Sequence, residues 1–160
     1  MSFKELLIIN LSLFGAYLID SSIISFANQS FIEISTVYLV FFYWSYAAPQ
    51  QFTLALVILS GILLDFLTAS FIGTHTLIFI FFSLVFRSYA YRLRLFSHLQ
   101  IALIFALLSS IGFTFKYLFI YPEGYLYSKL IFNFFSTIIL WPLIFGICRY
   151  LRRHYAYTIK

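Results

Sequence analysis

The chain has 160 residues, of which 63% are hydrophobic, 23% are aromatic and only 9% are charged, and its formal net charge is +5. A soluble globular domain carries roughly 25% charged residues. This composition, with a mean hydropathy of +1.00, therefore excludes a soluble enzyme and a disordered chain as leading interpretations. The Lys and Arg residues are scattered among apolar runs and form no basic face, which argues against nucleic acid as a partner. We expect an all-α, polytopic membrane protein with a single transmembrane domain over residues 1–160.

Six apolar runs predict six transmembrane helices, because about 20 helical residues cross a bilayer. Asp20 interrupts the first run, which distinguishes it from the apolar core of a signal peptide. Pro49 ends the second run, since the residue before a proline is biased away from helix. A Pro-Glu-Gly turn at 122–124 separates the last two runs. The predicted helices cover residues 6–26, 31–48, 52–67, 76–89, 98–120 and 130–150.

The distribution of cations predicts the orientation of these helices. An even number of helices places both termini on the same side, and the side richer in Lys and Arg is cytoplasmic. With both termini inside, only Lys116 and Lys129 lie near the outer face, so we predict an N-in, C-in topology. The arginines on the inner side are topology determinants and candidate contacts for anionic lipid head groups. The inner cations are Lys4, Arg87, Arg92, Arg94, Arg149, Arg152, Arg153 and Lys160.

Three ionisable residues, Asp20, Asp65 and Lys116, fall inside predicted helices, where such groups usually face the interior of a bundle. At about 1.5 Å per residue, each lies roughly 20–27 Å from the inner end of its helix, in the outer third of the membrane. This placement predicts an outer polar cluster in which Lys116 pairs with one or both carboxylates. The cluster is either a ligand or proton site, or a fold-holding ion pair or set of side chains that reach the interface. The structural interpretation is favoured.

The acid–base residues are few, and no hydrolase, metalloenzyme or phosphate-loop motif occurs among them. His75, His98 and His154 are expected at the interface, in loops or in the tail, on opposite sides of the membrane, so that they cannot share one metal ion. We therefore predict no catalytic residue, no metal site and no cofactor. Four aromatic residues are interpreted as interface anchors or lipid-facing side chains, namely Tyr43, Trp44, Trp141 and Tyr150.

Four sequence blocks, taken together with the length of the chain, carry a resemblance to a known family. The most specific is the second, a G-x-x-x-D-x-x-[ST]-[GA]-S-x-x-G pattern at the end of the third predicted helix. In chain order the blocks are Tyr43-Trp44 with Ala48-Pro49; Gly61-Ile62-Leu63-Leu64-Asp65 with Thr68-Ala69-Ser70 and Gly73; Arg92-Leu93-Arg94-Leu95-Phe96 with Gln100; and Leu140-Trp141-Pro142-Leu143 with Arg149-Tyr150-Leu151-Arg152-Arg153.

These blocks resemble the bacterial rod shape-determining protein MreD family. The resemblance implies a non-enzymatic inner-membrane scaffold of the elongation machinery, or elongasome, with a fold similar to the substrate-binding S-components of energy-coupling-factor transporters. It implies an MreC-type single-pass partner and, through that partner, MreB filaments and the synthases of lateral peptidoglycan. The family-motif residues are then candidates for structural or partner-interface roles, namely Trp44, Pro49, Gly61, Asp65, Ser70, Gly73, Trp141 and Pro142.

The likeness of fold leaves an alternative open, a small-molecule (vitamin-type) binding subunit of a membrane transporter. Such subunits tend to carry an Ala-x-x-x-Ala pattern in the first helix, whereas this chain has only Gly15-Ala16, which favours the scaffold. An intramembrane enzyme ranks last because no nucleophile–base pair is found. Membrane lipid is an expected partner, and a homo-oligomer is compatible with the sequence.

Overall fold

The computed structural model describes residues 3–26, 34–49, 52–68, 71–120 and 127–156. Within these ranges the chain forms six α-helices and a terminal π-helix, and no strand, in agreement with the predicted all-α class. The second helix begins at residue 36, later than the predicted 31, and the fourth continues to residue 93 through its basic residues. The elements are α1 (Phe3–Phe26), α2 (Thr36–Ala47), α3 (Leu54–Leu67), α4 (Thr74–Leu93), α5 (His98–Ile120), α6 (Tyr127–Leu151) and the π-helix (Arg152–Ala156).

Among the described residues, three stretches of helix are long and apolar enough to cross a membrane, namely Thr74–Leu93, His98–Leu118 and Tyr127–His154. Leu7–Ile23 and Leu54–Leu67 are shorter apolar helices. The helix α2 has only 12 residues, which corresponds to about 18 Å at 1.5 Å per residue. This length is well below the roughly 30 Å thickness of a bilayer's hydrocarbon core. The ends of α2 therefore fall inside the apolar layer if the bundle spans a membrane.

The short helix α2 occupies the centre of the bundle. It contacts α1, α4, α5 and α6, and the other helices surround it. The surrounding helices form a ring, in which α1 contacts α3, α3 contacts α4, α4 contacts α5 and α5 contacts α6. The π-helix closes the ring by contacting α1. Every residue of α2 from Thr36 to Ser45 is buried. A helix that is apolar on all sides is expected in such a central position.

Aromatic side chains dominate the core around α2. The rings of Phe41 and Phe79 stack with their centroids 3.9 Å apart, and Phe42 packs edge-on against Phe82 at 5.1 Å. Trp141 of α6 reaches the same cluster through Phe105, with ring centroids 4.5 Å apart. Offset and edge-to-face pairs of this kind add about 0.5–1.5 kcal/mol each beyond their buried area.

The interpretation of the aromatic residues as interface anchors is wrong for three of the four. Tyr43, Trp44 and Trp141 are each 2% exposed or less, whereas Tyr150 is exposed. For Tyr43 and Trp44 the reason is the central position of α2, which turns all sides of that helix towards protein, whereas Trp141 is buried because α6 turns it towards Phe105 of α5. Trp44 also donates its indole Nε1–H to Ser12 Oγ at 2.9 Å and so ties α2 to α1.

Candidate functional site

The helices pack in three consecutive pairs, α1–α2, α3–α4 and α5–α6. Side chains near the ends of α1, α3 and α5 contact the first turns of α2, α4 and α6, and this end of the bundle is here called the hairpin end. A set of buried and half-buried polar groups lies there and extends towards the bundle centre. All six helices contribute to it. This set, here called the polar layer, consists of Tyr17, Asp20, Ser35, Thr36, Asp65, Gly73, His75, Thr76, Ser109 and Asn133.

Asp65, near the end of α3, caps the start of α4. Its Oδ2 accepts hydrogen bonds from the backbone N–H of Gly73 at 2.7 Å and from Thr76 Oγ1 at 3.0 Å. Its Oδ1 accepts from the backbone N–H of His75 at 2.8 Å and lies 2.9 Å from His75 Nδ1. The first N–H groups of a helix have no partner within the helix, and an anion is stabilised at that end by the helix dipole. Asp65, a residue of α3, therefore accepts the hydrogen bonds from backbone N–H groups at the start of α4 that a capping side chain next to α4 would otherwise accept.

Two glycines make this contact between α3 and α4 possible. A Cβ atom on Gly61 would lie 2.5 Å from the Cα of Thr76, so that any side chain at this position forces the helices apart. Gly73, the N-cap residue of α4, has φ +107°, a conformation that glycine adopts without steric cost. The most specific block of the sequence is thus explained as a helix-pairing device. Ser70 of the same block lies outside the described residues.

Asp20 of α1 caps the central helix α2 in the same way. Its Oδ1 accepts from the backbone N–H of Thr36 at 3.0 Å and from the hydroxyl of Thr36. Its Oδ2 accepts from the backbone N–H of Val37 at 3.1 Å. One turn earlier on α1, Tyr17 donates its hydroxyl to the carbonyl of Leu67 at 2.6 Å, which links α1 to the last residue of α3.

Asn133 of α6 is a polar node that the sequence analysis missed. It is fully buried. Its Nδ2 donates to Ser35 Oγ at 2.7 Å and its Oδ1 accepts from Ser109 Oγ at 3.1 Å, so that one amide joins α2, α5 and α6. The available signal was an amide in the middle of an apolar run, because polar residues within membrane helices usually face the bundle interior.

The interfacial placement of His75 is wrong. The residue is 5% exposed and is the second residue of α4, where it binds Asp65 through both its backbone and its ring. The ring also stacks on Tyr38 of α2, with centroids 6.4 Å apart. A signal was present in the sequence, since the run Gly73-Thr74-His75-Thr76 offers several donors at the start of a helix.

In the structure, the two carboxylates of the predicted outer polar cluster are helix caps. Asp20 and Asp65 both lie at the hairpin end, but each carboxylate binds the helix that follows its own. Lys116 is half-buried on α5. Direct pairing of Lys116 with either carboxylate stays a prediction.

Arginines lie at the opposite end of the bundle, near the ends of α4 and α6. Arg152 donates from Nη1 to the carbonyl of Ala47, the last residue of α2, at 3.1 Å. Its guanidinium also lies 5.8 Å from the ring centroid of Tyr43. The central helix is therefore capped by side chains at both ends, by Asp20 and by Arg152. The other five predicted arginines are exposed, namely Arg87, Arg92, Arg94, Arg149 and Arg153.

The two prolines of the family motif differ in role. Pro49 follows Ala48, the C-cap residue of α2, and it is half-buried. Pro142 lies inside α6 on the exposed face, one residue after the buried Trp141. Because proline has no N–H, α6 loses one internal hydrogen bond there.

The arrangement as a whole holds helix ends and helix pairs in place. Its carboxylates accept hydrogen bonds from helix N-termini, its buried amide bridges three helices, and its glycines allow close packing. Such interior polar groups fix which helices are neighbours, because in lipid a backbone group left unsatisfied costs several kcal/mol.

Comparison with known families matches residues 1–151 of the chain to the rod shape-determining protein MreD. Comparison with curated proteins gave no match, and comparison with solved structures gave none either. The family match covers all six helices, including the α3–α4 contact built by Gly61, Asp65 and Gly73. The chain belongs to the MreD family of rod shape-determining proteins.

Proposed function

We propose that this protein is a non-enzymatic, multi-pass scaffold of the bacterial inner membrane. In this role it binds an MreC-type single-pass protein and thereby links MreB filaments to the synthases of lateral peptidoglycan. The observation that carries the proposal is the family match over residues 1–151, since the family is a component of shape determination. The geometry supports it, because the polar layer is engaged in holding the helices together.

The orientation and the fold likeness belong to the same proposal. The exposed arginines lie at the end of the bundle opposite the hairpins, at the ends of α4 and α6. By the positive-inside rule this end is cytoplasmic, which places both termini inside. The likeness to the S-components of energy-coupling-factor transporters is proposed on the same six-helix arrangement.

We place the contact with the partner helix on the outward faces of α1 and α6. A glycine inside a helix costs about 1 kcal/mol of stability relative to alanine. For two of the helical glycines, close packing inside the bundle explains why no larger residue is present. Gly61 packs against Thr76, and a Cβ on Gly112 would lie 3.1 Å from the ring of Phe82. Gly15 of α1 and Gly146 of α6 have no atom within 4 Å of the Cβ position. Small residues on an outward face allow a second helix to approach closely.

The scaffold role is tested by purification of the tagged protein from its native membranes, with identification of bound proteins by mass spectrometry. We expect an MreC-type single-pass protein in near-stoichiometric amount, and we expect rods to become spheres when the protein is depleted. Rod shape that survives a clean deletion would overturn the proposal. A bound vitamin-type small molecule without a protein partner would support the transporter-subunit alternative instead.

The proposed partner-binding faces of α1 and α6 are tested separately by adding side chains at Gly15 and Gly146. Gly15→Leu and Gly146→Leu are each expected to lower recovery of the partner, because the added side chain keeps the partner helix away. Ala55→Leu is the matched control, since Ala55 is a small exposed residue on α3. Equal recovery with all three variants would show that the partner binds another face, whereas the scaffold role itself would stand.

A further inference from the structure

A small pocket lies where the end of α2 and the start of α3 meet the second half of α4, away from the hairpin end. The helix α2 contributes Ser45, α3 contributes Leu54, and α4 contributes Ser83, Leu84 and Arg87. The volume of the pocket, about 10 Å³, is close to what one water-sized group needs. The pocket therefore admits a single oxygen atom of a ligand, whose remaining atoms must lie outside.

The wall of this pocket carries a buried hydroxyl group that is available to a ligand. Ser45 is 3% exposed, and its Oγ has no hydrogen-bond partner among the described residues. Each of the other buried serines in the described part of the chain has such a partner, and these are Ser35, Ser60, Ser109 and Ser110. Removing a hydroxyl group from water is costly unless it gains a hydrogen bond. The Ser45 hydroxyl is thus a donor that a ligand in the pocket would satisfy.

A guanidinium group lines the same pocket. Arg87 lies one turn after Ser83 on α4, so that both residues share a helix face. The hydroxyl of Ser83 already donates to the carbonyl of Ile80 at 2.9 Å, whereas no ion pair among the described residues holds the charge of Arg87. Arg87 is exposed and lies within Thr74–Leu93, a stretch long enough to cross a membrane. Because arginine only donates hydrogen bonds and is always charged, the matching ligand is an anionic acceptor.

We propose that this pocket binds the phosphate group of an anionic membrane phospholipid. One phosphate oxygen accepts from the Ser45 hydroxyl and another accepts from the Arg87 guanidinium, as in other charge-assisted contacts between arginine and phosphate. Leu54 and Leu84 also line the pocket and are exposed, which leaves apolar surface beside the phosphate for the lipid chains. The pocket is separate from the outward faces of α1 and α6, so the proposal does not depend on the partner contact proposed above.

Native mass spectrometry in a neutral detergent tests the proposal, because it counts the lipid molecules that each protein molecule retains. The full-length protein is titrated with phosphatidylglycerol, with phosphatidylcholine and with inorganic phosphate. We expect half-saturation at a roughly five-fold lower concentration of phosphatidylglycerol than of phosphatidylcholine, since one cation near the surface attracts an anionic lipid to about that extent. Inorganic phosphate is not expected to be retained. Retention of inorganic phosphate without a preference for phosphatidylglycerol would overturn the assignment to a lipid.

Two variants distinguish this pocket from general attraction of anionic lipid to the arginines. Arg87→Gln and Ser45→Ala are each expected to raise the half-saturating concentration of phosphatidylglycerol about five-fold, through loss of one surface cation and of one hydrogen bond. Arg94→Gln is the control for charge, because it removes an exposed cation at the end of α4 that does not line the pocket. Ser110→Ala is the control for a buried hydroxyl, because Ser110 already donates to the carbonyl of Ala106. Both controls are expected to bind the lipid like wild type.

The stability of Ser45→Ala separates a lipid site from a buried water. In zwitterionic micelles this variant should be at least as stable as wild type, because it loses a hydroxyl group that has no partner among the described residues. The midpoint of thermal unfolding, followed by circular dichroism, measures this. A less stable Ser45→Ala protein that binds phosphatidylglycerol like wild type would overturn the proposal in favour of a structural water. Equal losses of lipid binding in Arg87→Gln and Arg94→Gln would also overturn it, and this pair decides if Ser45→Ala fails to fold.

Discussion

The two ends of the bundle use their charged groups differently. At the hairpin end the described carboxylates, Asp20 and Asp65, are buried and hydrogen-bonded to the first N–H groups of α2 and α4. At the opposite end the arginines are mostly exposed, and Arg152 reaches back to the last carbonyl of α2. Asp20, Asp65 and Arg152 thus lie at helix ends where the helix dipole favours their charge. The hairpin end therefore holds the helices in place, whereas the opposite end mainly carries exposed positive charge, which the proposed topology puts on the cytoplasmic side.

The shortness of α2 explains why both ends must be capped by side chains. A helix that spans the bilayer exposes its terminal N–H and C=O groups to water, but a 12-residue helix at the centre does not. Its end groups would remain unsatisfied in an apolar environment, at a cost of several kcal/mol each. Asp20 and Arg152 satisfy part of this demand from α1 and from the π-helix.

Removal of the Asp65 carboxylate is expected to have the largest effect. Asp65→Ala leaves the first turn of α4 and the ring of His75 without their acceptor, and loss of one member of such a buried charged contact costs about 3–5 kcal/mol. The free energy of unfolding, measured by denaturant titration in mixed micelles, would show this loss. Asp65→Asn retains one acceptor oxygen and should fall between wild type and Asp65→Ala. An Asp65→Ala protein as stable as wild type would contradict the capping role.

Gly61→Ala is expected to rank second. The added methyl group overlaps the backbone of Thr76 at 2.5 Å, and overpacking of this kind costs about 1–3 kcal/mol. The matched control is Gly15→Ala, at a glycine of α1 with no atom within 4 Å of its Cβ position. Because alanine is the better helix former, this control should be unchanged or more stable by up to about 1 kcal/mol. If both variants changed the free energy of unfolding in the same direction, Gly61 would not be required for the close packing of α3 against α4.

Asn133→Ala tests how far the hairpin-end network extends towards the bundle centre. The substitution leaves Ser35 and Ser109 without the amide that joins them. Interhelical hydrogen bonds in membrane proteins contribute about 0.6 kcal/mol on average and up to about 1.7 kcal/mol, and we expect a loss in this range. The coupling is measured by comparing Asn133→Ala, Ser109→Ala and the double variant. Strictly additive losses would indicate that the two residues do not act together.

The sequence was sufficient for the helical class and for the number of helices, because continuous apolar runs separated by turn residues mark each helix. It was not sufficient for the place of α2, since an all-apolar segment is equally compatible with lipid and with a protein core. For that reason the sequence predicts Trp44 at the membrane interface or facing lipid, although the residue is buried in the protein. The side-chain hydrogen bonds between helices could not be predicted either, because they join residues far apart in the sequence. Asp20 of α1 accepts from Thr36 of α2, and Asn133 donates to Ser35, 98 positions away.

The smallest expected effect compares two adjacent arginines at the opposite end. Arg152→Gln loses the charged donor to the carbonyl of Ala47 and the contact with the ring of Tyr43, and a typical hydrogen bond contributes about 0.5–1.5 kcal/mol. Arg153→Gln removes an exposed cation, and we expect a change within about 0.5 kcal/mol. Both variants lower the positive charge at this end by the same amount, so topology mapped by cysteine labelling should respond equally to each. A difference in stability without a difference in topology would separate the one arginine that caps α2 from the others that orient the chain.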